Sequence, residues 1–352
     1  MGVSITSLAY SLPAGKITGA ELSARFGGAA MKKIEAVSGI LERRRAGADE
    51  CASDLAAGAA RLLFSGARYS PKDFGLLIFA SQTPDYLIPT TACILQDRLG
   101  MGSSCAAFDM NLGCSQFVYA LAVARSWIQG GLADKALVLC ADTPQKILDP
   151  SDRSTACVFG DGAAACAVSK TEAAAFSDFS FGADGSGYDG IIWPNSAMRK
   201  SGGGASERMR MDGFKIFAFA YRRAAESVAE ILGKNGMSVS DIDLFVFHQA
   251  GEMIVKSCAE RLKIPPEKVY YKMHDIGNCG GASVPIALAD AAISGRLKPG
   301  MKVLVCAFGA GLSWGSAILE WSADFRGAFS DADFSDSPAK PQSQRAADSA
   351  RR

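Results

Sequence analysis

Three side chains suited to catalysis are spread along the chain, and Cys114 is the most informative of them. It stands where an apolar, strand-like run that ends at Gly113 meets a helix-like run from Ser115 to Ile128. A thiol in the first turn of a helix lies near unpaired backbone N–H groups and the positive end of the helix, which stabilise a thiolate. The sequence therefore predicts that Cys114 has a lowered pKa and acts as a nucleophile.

His248 and Asn278 are the other two candidates. His248 ends a strand-like run, and the carboxyl ends of strands are where open α/β sheets bind ligands. Asn278 lies in a glycine-rich turn, whose small residues let an amide approach a ligand closely. Each also has an ordinary interpretation, as a packed histidine and as a turn or N-cap asparagine. Cys279 is a rival nucleophile, although no strand-to-helix turn presents it.

A cysteine, a histidine and an asparagine in this order are compatible with two chemistries. One is papain-type hydrolysis, in which the asparagine orients the histidine. The surroundings of Cys114 do not resemble C-G-S-C-W, and a duplicated α/β body is the wrong framework for that class. The other chemistry is condensation of thioesters. A glycine-rich segment, Phe308 to Gly315, follows an apolar strand and is either an oxyanion hole of backbone N–H groups or a hairpin.

The elements that must position these residues occur twice in the chain. The segment 73–80 resembles 241–248, and 136–141 resembles 302–307 at nearly the same spacing. Strand-length apolar runs alternate with helix-length segments, which predicts an α/β fold with mainly parallel strands covered on both faces. In the helix after Cys114, one apolar face is predicted to be buried, formed by Phe117, Val118, Leu121, Ala124 and Ile128.

Composition limits the class of protein. The 352 residues carry 37 basic and 36 acidic side chains, a net charge of +1, so neither nucleic acid nor an anionic membrane is expected as the main partner. The ten cysteines form no C-x-x-C pair and only two histidines are present, so no metal site is expected. The cysteines are typical of reduced, buried thiols, and neither a leader peptide nor a membrane span is evident, which predicts a cytoplasmic protein.

Five motifs resemble those of β-ketoacyl-ACP synthase III, of the thiolase superfamily, within a match that runs in order from about Val3 to Trp321. They are Asn-Leu-Gly-Cys114-Ser-Gln-Phe, Phe159-Gly-Asp-Gly-Ala-Ala-Ala165, His248-Gln-Ala, Gly277-Asn278-x-x-x-Ala-Ser-x-Pro285 and Phe308-Gly-x-Gly-Leu-Ser-Trp-Gly315. The resemblance implies the thiolase-like fold, with two duplicated βα halves in a five-layer αβαβα arrangement, usually as a homodimer. The halves are expected at 1–170, with Cys114, and 171–322, with His248 and Asn278; residues 323–352 are expected to form a disordered tail.

The resemblance also implies a mechanism. Cys114 takes an acyl group from an acyl-CoA or an acyl carrier protein (ACP), and malonyl-ACP then binds. His248 and Asn278 donate hydrogen bonds to its thioester oxygen, so that loss of CO₂ leaves a stabilised enolate. The backbone N–H groups of Cys114 and Ala310 form the oxyanion hole. The product is a β-ketoacyl thioester, made in fatty-acid or related secondary-metabolite biosynthesis without a resident cofactor.

Further contacts to the substrate, CoA or ACP are expected from five residues, namely Arg153, Gly251, Phe214, Gln116 and Ile88. The chain departs from the family pattern at two of these residues and at one other position. Gln116 replaces the usual glycine, Gly251-Glu252-Met253 replaces Asn-x-Arg, and Lys33 falls near the position of a tryptophan that stacks on the CoA adenine. The run Arg43-Arg44-Arg45 is either a solvated face or a contact for the acidic surface of an ACP.

Two alternatives to condensation remain open at this point. An acyltransferase of the same fold would move the acyl group from Cys114 to an alcohol or amine. A non-catalytic subunit would bind a partner synthase. The presence of both His248 and Asn278 favours condensation, because simple acyl transfer needs a base but no pair of donors to hold an enolate. The identity and length of the acyl donor are left open, as is the choice between CoA and ACP as its carrier.

Overall fold

The computed structural model describes residues 2–66, 68–172, 176–199, 208–321 and 327–330. Its strands are β1 Gly2–Ser11, β2 Lys16–Thr18, β3 Glu42–Arg44, β4 Leu76–Ala80, β5 Ala106–Met110, β6 Lys135–Asp142, β7 Gly162–Thr171, β8 Phe176–Ala183, β9 Ile191–Ile192, β10 Arg210–Met211, β11 Leu244–Phe247, β12 Lys302–Gly309, β13 Ser313–Glu320 and β14 Gly327–Ser330. Its α-helices are α1 Gly19–Phe26, α2 Gly28–Ser38, α3 Ala52–Ser65, α4 Thr91–Arg98, α5 Gln116–Gln129, α6 Arg153–Ala156, α7 Gly213–Lys234, α8 Glu252–Arg261 and α9 Ser283–Ile293.

Two central sheets share one strand order. In the described part of the chain the first sheet has the order β14-β1-β7-β6-β4-β5 and the second has the order β11-β12-β13-β8. In each sheet a parallel pair, β4 with β6 and β11 with β12, is followed by an antiparallel neighbour, β7 or β13. The place of β5 is marked in the second half by a single bridge from Phe245 to Val269. The change of sheet falls between β7 and β8, close to the predicted boundary.

The sheets are mixed, whereas the sequence predicted mainly parallel strands. The pairs of β7 with β1 and β6, and of β13 with β12 and β8, are antiparallel. Only residues 310–312 separate β12 from β13, too few for a crossover to a parallel neighbour. The apolar composition of these strands reflects burial on both faces, which a parallel and a mixed sheet share when helices cover them.

The five-layer arrangement is confirmed, and α5 and α9 form its central layer. Residues on alternate positions of β4, such as Ile78, pack toward these two helices, while Phe79 packs toward α3 on the opposite face. Alternate positions of β12 divide in the same way between the central layer and the outer pair α7 and α8. The predicted buried face of α5, from Phe117 to Ile128, is fully inaccessible to solvent. The fold therefore places the amino-terminal turns of α5 and α9 side by side between the sheets.

The structure departs from the predicted disordered tail at Gly327–Ser330. This segment, β14, pairs in parallel with β1, from Leu8 to Ser11. The edge of β1 that faces away from β7 presents unpaired backbone N–H and C=O groups, and a short extended segment satisfies them. The segment is too short to show a strand pattern in the sequence. The rest of the predicted tail, 323–326 and 331–352, lies outside the described residues.

Candidate active site

Cys114 lies in a short 3₁₀ turn, Gly113–Ser115, that runs directly into α5. The thiol is 6% exposed and lines a cavity between the two halves. The end of β12 approaches it closely: a Cβ atom added to Gly309 would lie 2.7 Å from Sγ of Cys114. Glycine at 309 is therefore required by the close contact between Cys114 of one half and the end of β12 of the other.

The pKa of the Cys114 thiol is shifted in the direction opposite to the one predicted from the helix end. Burial raises it to about 12, and the negative charge of Asp142 also raises it. Hydrogen bonds from the backbone N–H groups of Ala310 and of Cys114 itself lower it, but by less than burial raises it. Desolvation of a thiolate outweighs the favourable backbone groups. Cys114 is therefore a neutral thiol at rest and needs a base to become a nucleophile.

His248 follows β11 and lines the same cavity, with 1% of its surface exposed. Its backbone N–H donates to the carbonyl of Cys306 at 2.8 Å, and its ring packs edge-on against Phe308 with ring centroids 5.7 Å apart. Burial lowers the pKa of the imidazole to about 3, so the ring is neutral. Nδ1 is buried without a hydrogen-bond partner among the described residues, so Nε2 is the nitrogen that can reach the cavity. Neither tautomer is locked by a neighbour.

Asn278 is held by its backbone and by its side-chain oxygen. Its N–H donates to the carbonyl of Val158, and its own carbonyl accepts from Gly160, both at 2.9 Å. Oδ1 accepts hydrogen bonds from the N–H of Gly280 at 3.1 Å and from Oγ of Ser283 at 3.4 Å. Since these contacts occupy Oδ1, the amide presents Nδ2 as a donor to the cavity that Asn278 lines.

The cavity has a volume of about 290 Å³ and its lining is mostly apolar. Among the described residues that line it, none carries a charged side chain. Its apolar lining includes Ile191, Met211, Ile216, Phe217, Ile254 and Phe308. Cys114, His248 and Asn278 thus line the same apolar cavity, which suits an alkyl chain or a pantetheine arm.

Two backbone N–H groups approach the sulfur of Cys114, its own and that of Ala310. The turn that carries Ala310 is fastened by hydroxyl groups: Oγ of Ser313 lies 2.8 Å from Oγ of Ser115 and donates to the carbonyl of Ala310 at 2.9 Å. Donors held this rigidly beside the nucleophile can stabilise an oxyanion that forms there. These are the two groups that the sequence predicted for an oxyanion hole.

Comparison with known proteins identifies the family. The chain matches the 3-oxoacyl-[acyl-carrier-protein] synthase III family at residues 108–185 and the C-terminal family of the same synthase at residues 232–321. It is 39% identical to the β-ketoacyl-ACP synthase III of Methylococcus capsulatus over 81% of this chain and 88% of that protein. It is 38% identical to the corresponding enzyme of Syntrophomonas wolfei over 92% of this chain and 99% of that protein. The chain belongs to the β-ketoacyl-ACP synthase III family.

Solved structures agree with this assignment. The crystal structure of a 3-oxoacyl-ACP synthase from Burkholderia xenovorans superposes with a TM-score of 0.90 at 30% identity, covering 94% of this chain and 97% of that one. The synthase III structure from Thermus thermophilus gives 0.85 at 37% identity, covering 91% and 99%. The thiolase fold predicted from the sequence is therefore confirmed in this synthase III family member.

Of the five further contact residues predicted for substrate, CoA or ACP, only Gly251 lines the cavity. Gly251 lines it, and Arg153 is exposed one residue before Ser154, which also lines it. Phe214 does not line it: its side chain is 81% exposed, and Phe217, almost one turn further along α7, faces the cavity instead. Ile88 is 90% exposed and does not reach the cavity of its own chain.

Gln116 does not line the cavity, contrary to the substrate contact predicted from the sequence. Its side chain is fully buried and points away from the cavity, donating from Nε2 to the carbonyl of Ala80 at 2.9 Å and to Asp142 at 3.2 Å. The reason is geometric: Gln116 begins α5, whose inner face packs on the first sheet. Asp142 was not predicted as part of the site. The only sign of it in the sequence is that an acidic residue ends an otherwise apolar strand, β6.

Two of the three arginines in the run, Arg43 and Arg44, are buried, at odds with both interpretations offered for them. Arg43 is inaccessible to solvent and donates to the carbonyls of Cys157, Leu41 and Ile40. Arg44 is 5% exposed, and one of its donors reaches the carbonyl of Pro13. Of the three arginines only Arg45 is exposed and free to meet a partner's surface.

In the described ranges of the chain, no helix is long and apolar enough to cross a bilayer.

Burial of the His248 imidazole should make the free energy of unfolding depend on pH in the acidic range. The folded pKa of His248, about 3, lies below its ordinary value of 6.5, so the unfolded chain binds a proton that the folded chain does not. The free energy of unfolding therefore falls as the pH drops from about 6.5 toward 3, by up to about 1.4 kcal/mol per pH unit. In His248→Gln this slope should be missing, so the variant should gain on the wild type over that window. Urea unfolding at several pH values checks this, and parallel profiles for the two proteins would contradict it.

Proposed function

We propose that this chain condenses an acyl thioester with malonyl-ACP through an acyl-Cys114 intermediate. The observation that supports this most directly is that a thiol, a neutral imidazole and a carboxamide, contributed by the two halves, line one apolar cavity. The relatives described above bear the name β-ketoacyl-ACP synthase III, and the same chemistry is what this set of groups can perform.

Acylation of Cys114 comes first. Nε2 of His248, in the tautomer that carries its proton on Nδ1, takes the proton of the thiol as sulfur attacks the thioester carbonyl. The N–H groups of Cys114 and Ala310 stabilise the oxyanion. Collapse of the tetrahedral intermediate expels the thiolate of CoA or of the ACP prosthetic arm, which takes the proton from His248. A base is needed because burial keeps the Cys114 thiol protonated.

Decarboxylation and carbon–carbon bond formation follow in the same cavity. The malonyl carboxylate enters apolar surroundings that favour its departure as CO₂. The electron pair of the broken bond becomes an enolate whose oxygen accepts hydrogen bonds from Nε2–H of His248 and Nδ2 of Asn278. His248 can take this second role because Nδ1 has no partner among the described residues to hold one tautomer. The enolate carbon attacks the acyl carbonyl, and Cys114 leaves as a thiolate that takes up, from solvent, the one proton that the overall reaction consumes.

The partners and setting of the reaction follow from the same chemistry. The thioester activates the acyl group and loss of CO₂ creates the carbon nucleophile, so we expect no resident metal or cofactor. Tyr86, Leu87 and Ile88 form an exposed apolar tip, and its coverage by a second copy of the chain in a homodimer would shield it from water. We expect Arg153, which is exposed and adjacent in sequence to the cavity-lining Ser154, to meet a phosphate of CoA or of an ACP-bound arm. We place the enzyme in the cytoplasm with its thioester substrates.

Measurement of both half-reactions separates condensation from simple acyl transfer. The intact protein is exposed to a panel of acyl-CoAs and acyl-ACPs, and its mass is determined; a gain equal to one acyl group is expected. Release of CO₂ from malonyl-ACP is then followed with the acylated protein, and a β-ketoacyl-ACP should appear in equal amount. Acylation followed by transfer to an alcohol or amine, without CO₂ release, would instead assign the acyltransferase function. Absence of any acyl adduct would refute the proposal.

A further inference from the structure

A buried carboxylate that the mechanism above does not use joins the two halves next to the catalytic groups. Asp142 is the last residue of β6 and is 4% exposed. Its Oδ1 accepts from the N–H of Gln82 at 2.7 Å and from Oγ of Ser81 at 3.3 Å. Its Oδ2 accepts from Nε2 of Gln116 at 3.2 Å and from the N–H of Gly281 at 2.9 Å. One side chain therefore connects β4, β6, the start of α5 and the turn before α9.

These contacts tie two catalytic turns together. Gln116 follows Cys114 by two residues, and Gly281 follows Gly280, whose N–H holds Oδ1 of Asn278. The two turns approach so closely that a Cβ atom on Gly281 would lie 2.0 Å from Nε2 of Gln116. The amide of Gln116 thus fills the space that glycine leaves at 281, and its second bond, to Ala80, anchors it to β4.

We propose that Asp142 and Gln116 form a positioning pair that holds the turn of Cys114 against the turn of Asn278. This keeps the acyl-carrying sulfur and the enolate-binding amide at one spacing. The proposal rests on the proposed function, since it assigns the pair to the step that uses both turns. Acylation uses a different connection, because Ser115 and Ser313 fasten the turn of Cys114 to the oxyanion donor of Ala310. Loosening the Asp142 connection should therefore impair condensation much more than acylation.

The decisive variant is Gln116→Met, which keeps the length of the side chain and removes both of its hydrogen bonds. Displacement of reacting groups by a fraction of an ångström to one ångström is costly, so we expect condensation to fall about tenfold or more. The rate of acyl-Cys114 formation, followed by intact mass, should stay within about twofold of the wild type. Ser115→Ala is the matched control, because it removes the buried hydrogen bond to Ser313 instead and should slow acylation.

The Asp142→Asn variant tests the pair by a second measurement, the pH dependence of Cys114 alkylation, which loss of packing alone would not change. The charge of Asp142 raises the pKa of Cys114, so its removal should move the pH profile of Cys114 alkylation by iodoacetamide to lower pH. At a fixed pH below the midpoint, alkylation should speed up roughly tenfold for every pH unit by which the midpoint falls. The other titratable groups beside Asp142 are the buried thiols Cys140 and Cys279, whose pKa values burial raises, and His248 lines the cavity in front of Cys114. Gln116→Met retains the charge and should leave the profile in place.

The outcomes separate this inference from the proposed function. If wild-type protein forms no acyl-Cys114, the proposed function fails and the alkylation profile still tests the contact of Asp142 with Cys114. If the wild type performs both steps and Gln116→Met loses them in equal proportion, or loses neither, the positioning pair is refuted. An alkylation profile that does not move in Asp142→Asn also refutes it. Selective loss of condensation in Gln116→Met together with the displaced profile in Asp142→Asn establishes it.

Discussion

Replacement of Cys114 by alanine should abolish acyl-enzyme formation and lower condensation by at least about 10³-fold. The reason is that Cys114 supplies the only thiol among the described residues that line the cavity where His248 and Asn278 meet. Decarboxylation of malonyl-ACP should persist at a measurable rate, because the proposed mechanism assigns the enolate to His248 and Asn278 and not to the thiol. Intact-mass measurement with an acyl donor, together with assay of CO₂ release, checks both halves of this expectation.

The matched control is Cys279→Ala, which removes a buried thiol adjacent to Asn278. Cys279 is inaccessible to solvent and its Sγ faces the carbonyls of Ile276 and Gly277 at 3.8 and 3.9 Å rather than the cavity. Acylation should therefore survive in this variant. An acyl adduct that persists in Cys114→Ala, or one that disappears in Cys279→Ala while the protein remains folded, would overturn the assignment of the nucleophile.

The convergence of the catalytic groups was accessible from the sequence because it follows from the duplication. Cys114 follows the strand β5, and His248 follows the strand β11, so both lie at carboxyl ends of strands in repeated halves. Asn278 precedes α9, the counterpart of α5, and these two helices form the layer that both sheets share. Continuous apolar runs of strand length and helix-length segments carry that much information, since they determine which elements must be buried.

The predictions that were wrong concern properties that depend on contacts between residues distant in sequence. Side-chain direction in the first turn of a helix is set by packing partners distant in sequence, so Gln116 could not be assigned to the network of Asp142 or excluded from the cavity. Burial of Arg43 depends on carbonyls of Ile40 and Cys157 that only the folded chain brings together. The pKa of Cys114 was misjudged for a related reason: the helix-end effect is local and visible in sequence, but the larger desolvation cost is not.

Replacement of Asn278 by aspartate should separate the two half-reactions most sharply. The new carboxylate retains an oxygen for the hydrogen bonds from Gly280 and Ser283, so the turn should keep its shape. It exchanges the Nδ2 donor for a second oxygen, which repels the enolate. Loss of one such donor typically costs about 10²–10³-fold, and we expect CO₂ release and condensation to fall by at least that much. Acylation of Cys114 should be far less affected, because the Asn278 amide takes no part in proton transfer from the thiol.

The Asn278→Ala variant distinguishes loss of the donor from the added charge. If the donor is what matters, alanine and aspartate should both lower CO₂ release by at least about 10²-fold, and the alanine protein should still accumulate the acyl adduct at nearly the wild-type rate. If acylation falls as steeply as decarboxylation in the alanine variant, Asn278 supports the fold around Cys114 and does not hold the enolate. Together with Cys114→Ala, which should decarboxylate but not acylate, Asn278→Ala forms a complementary pair. Only a site in which the two halves divide the chemistry between them predicts both results.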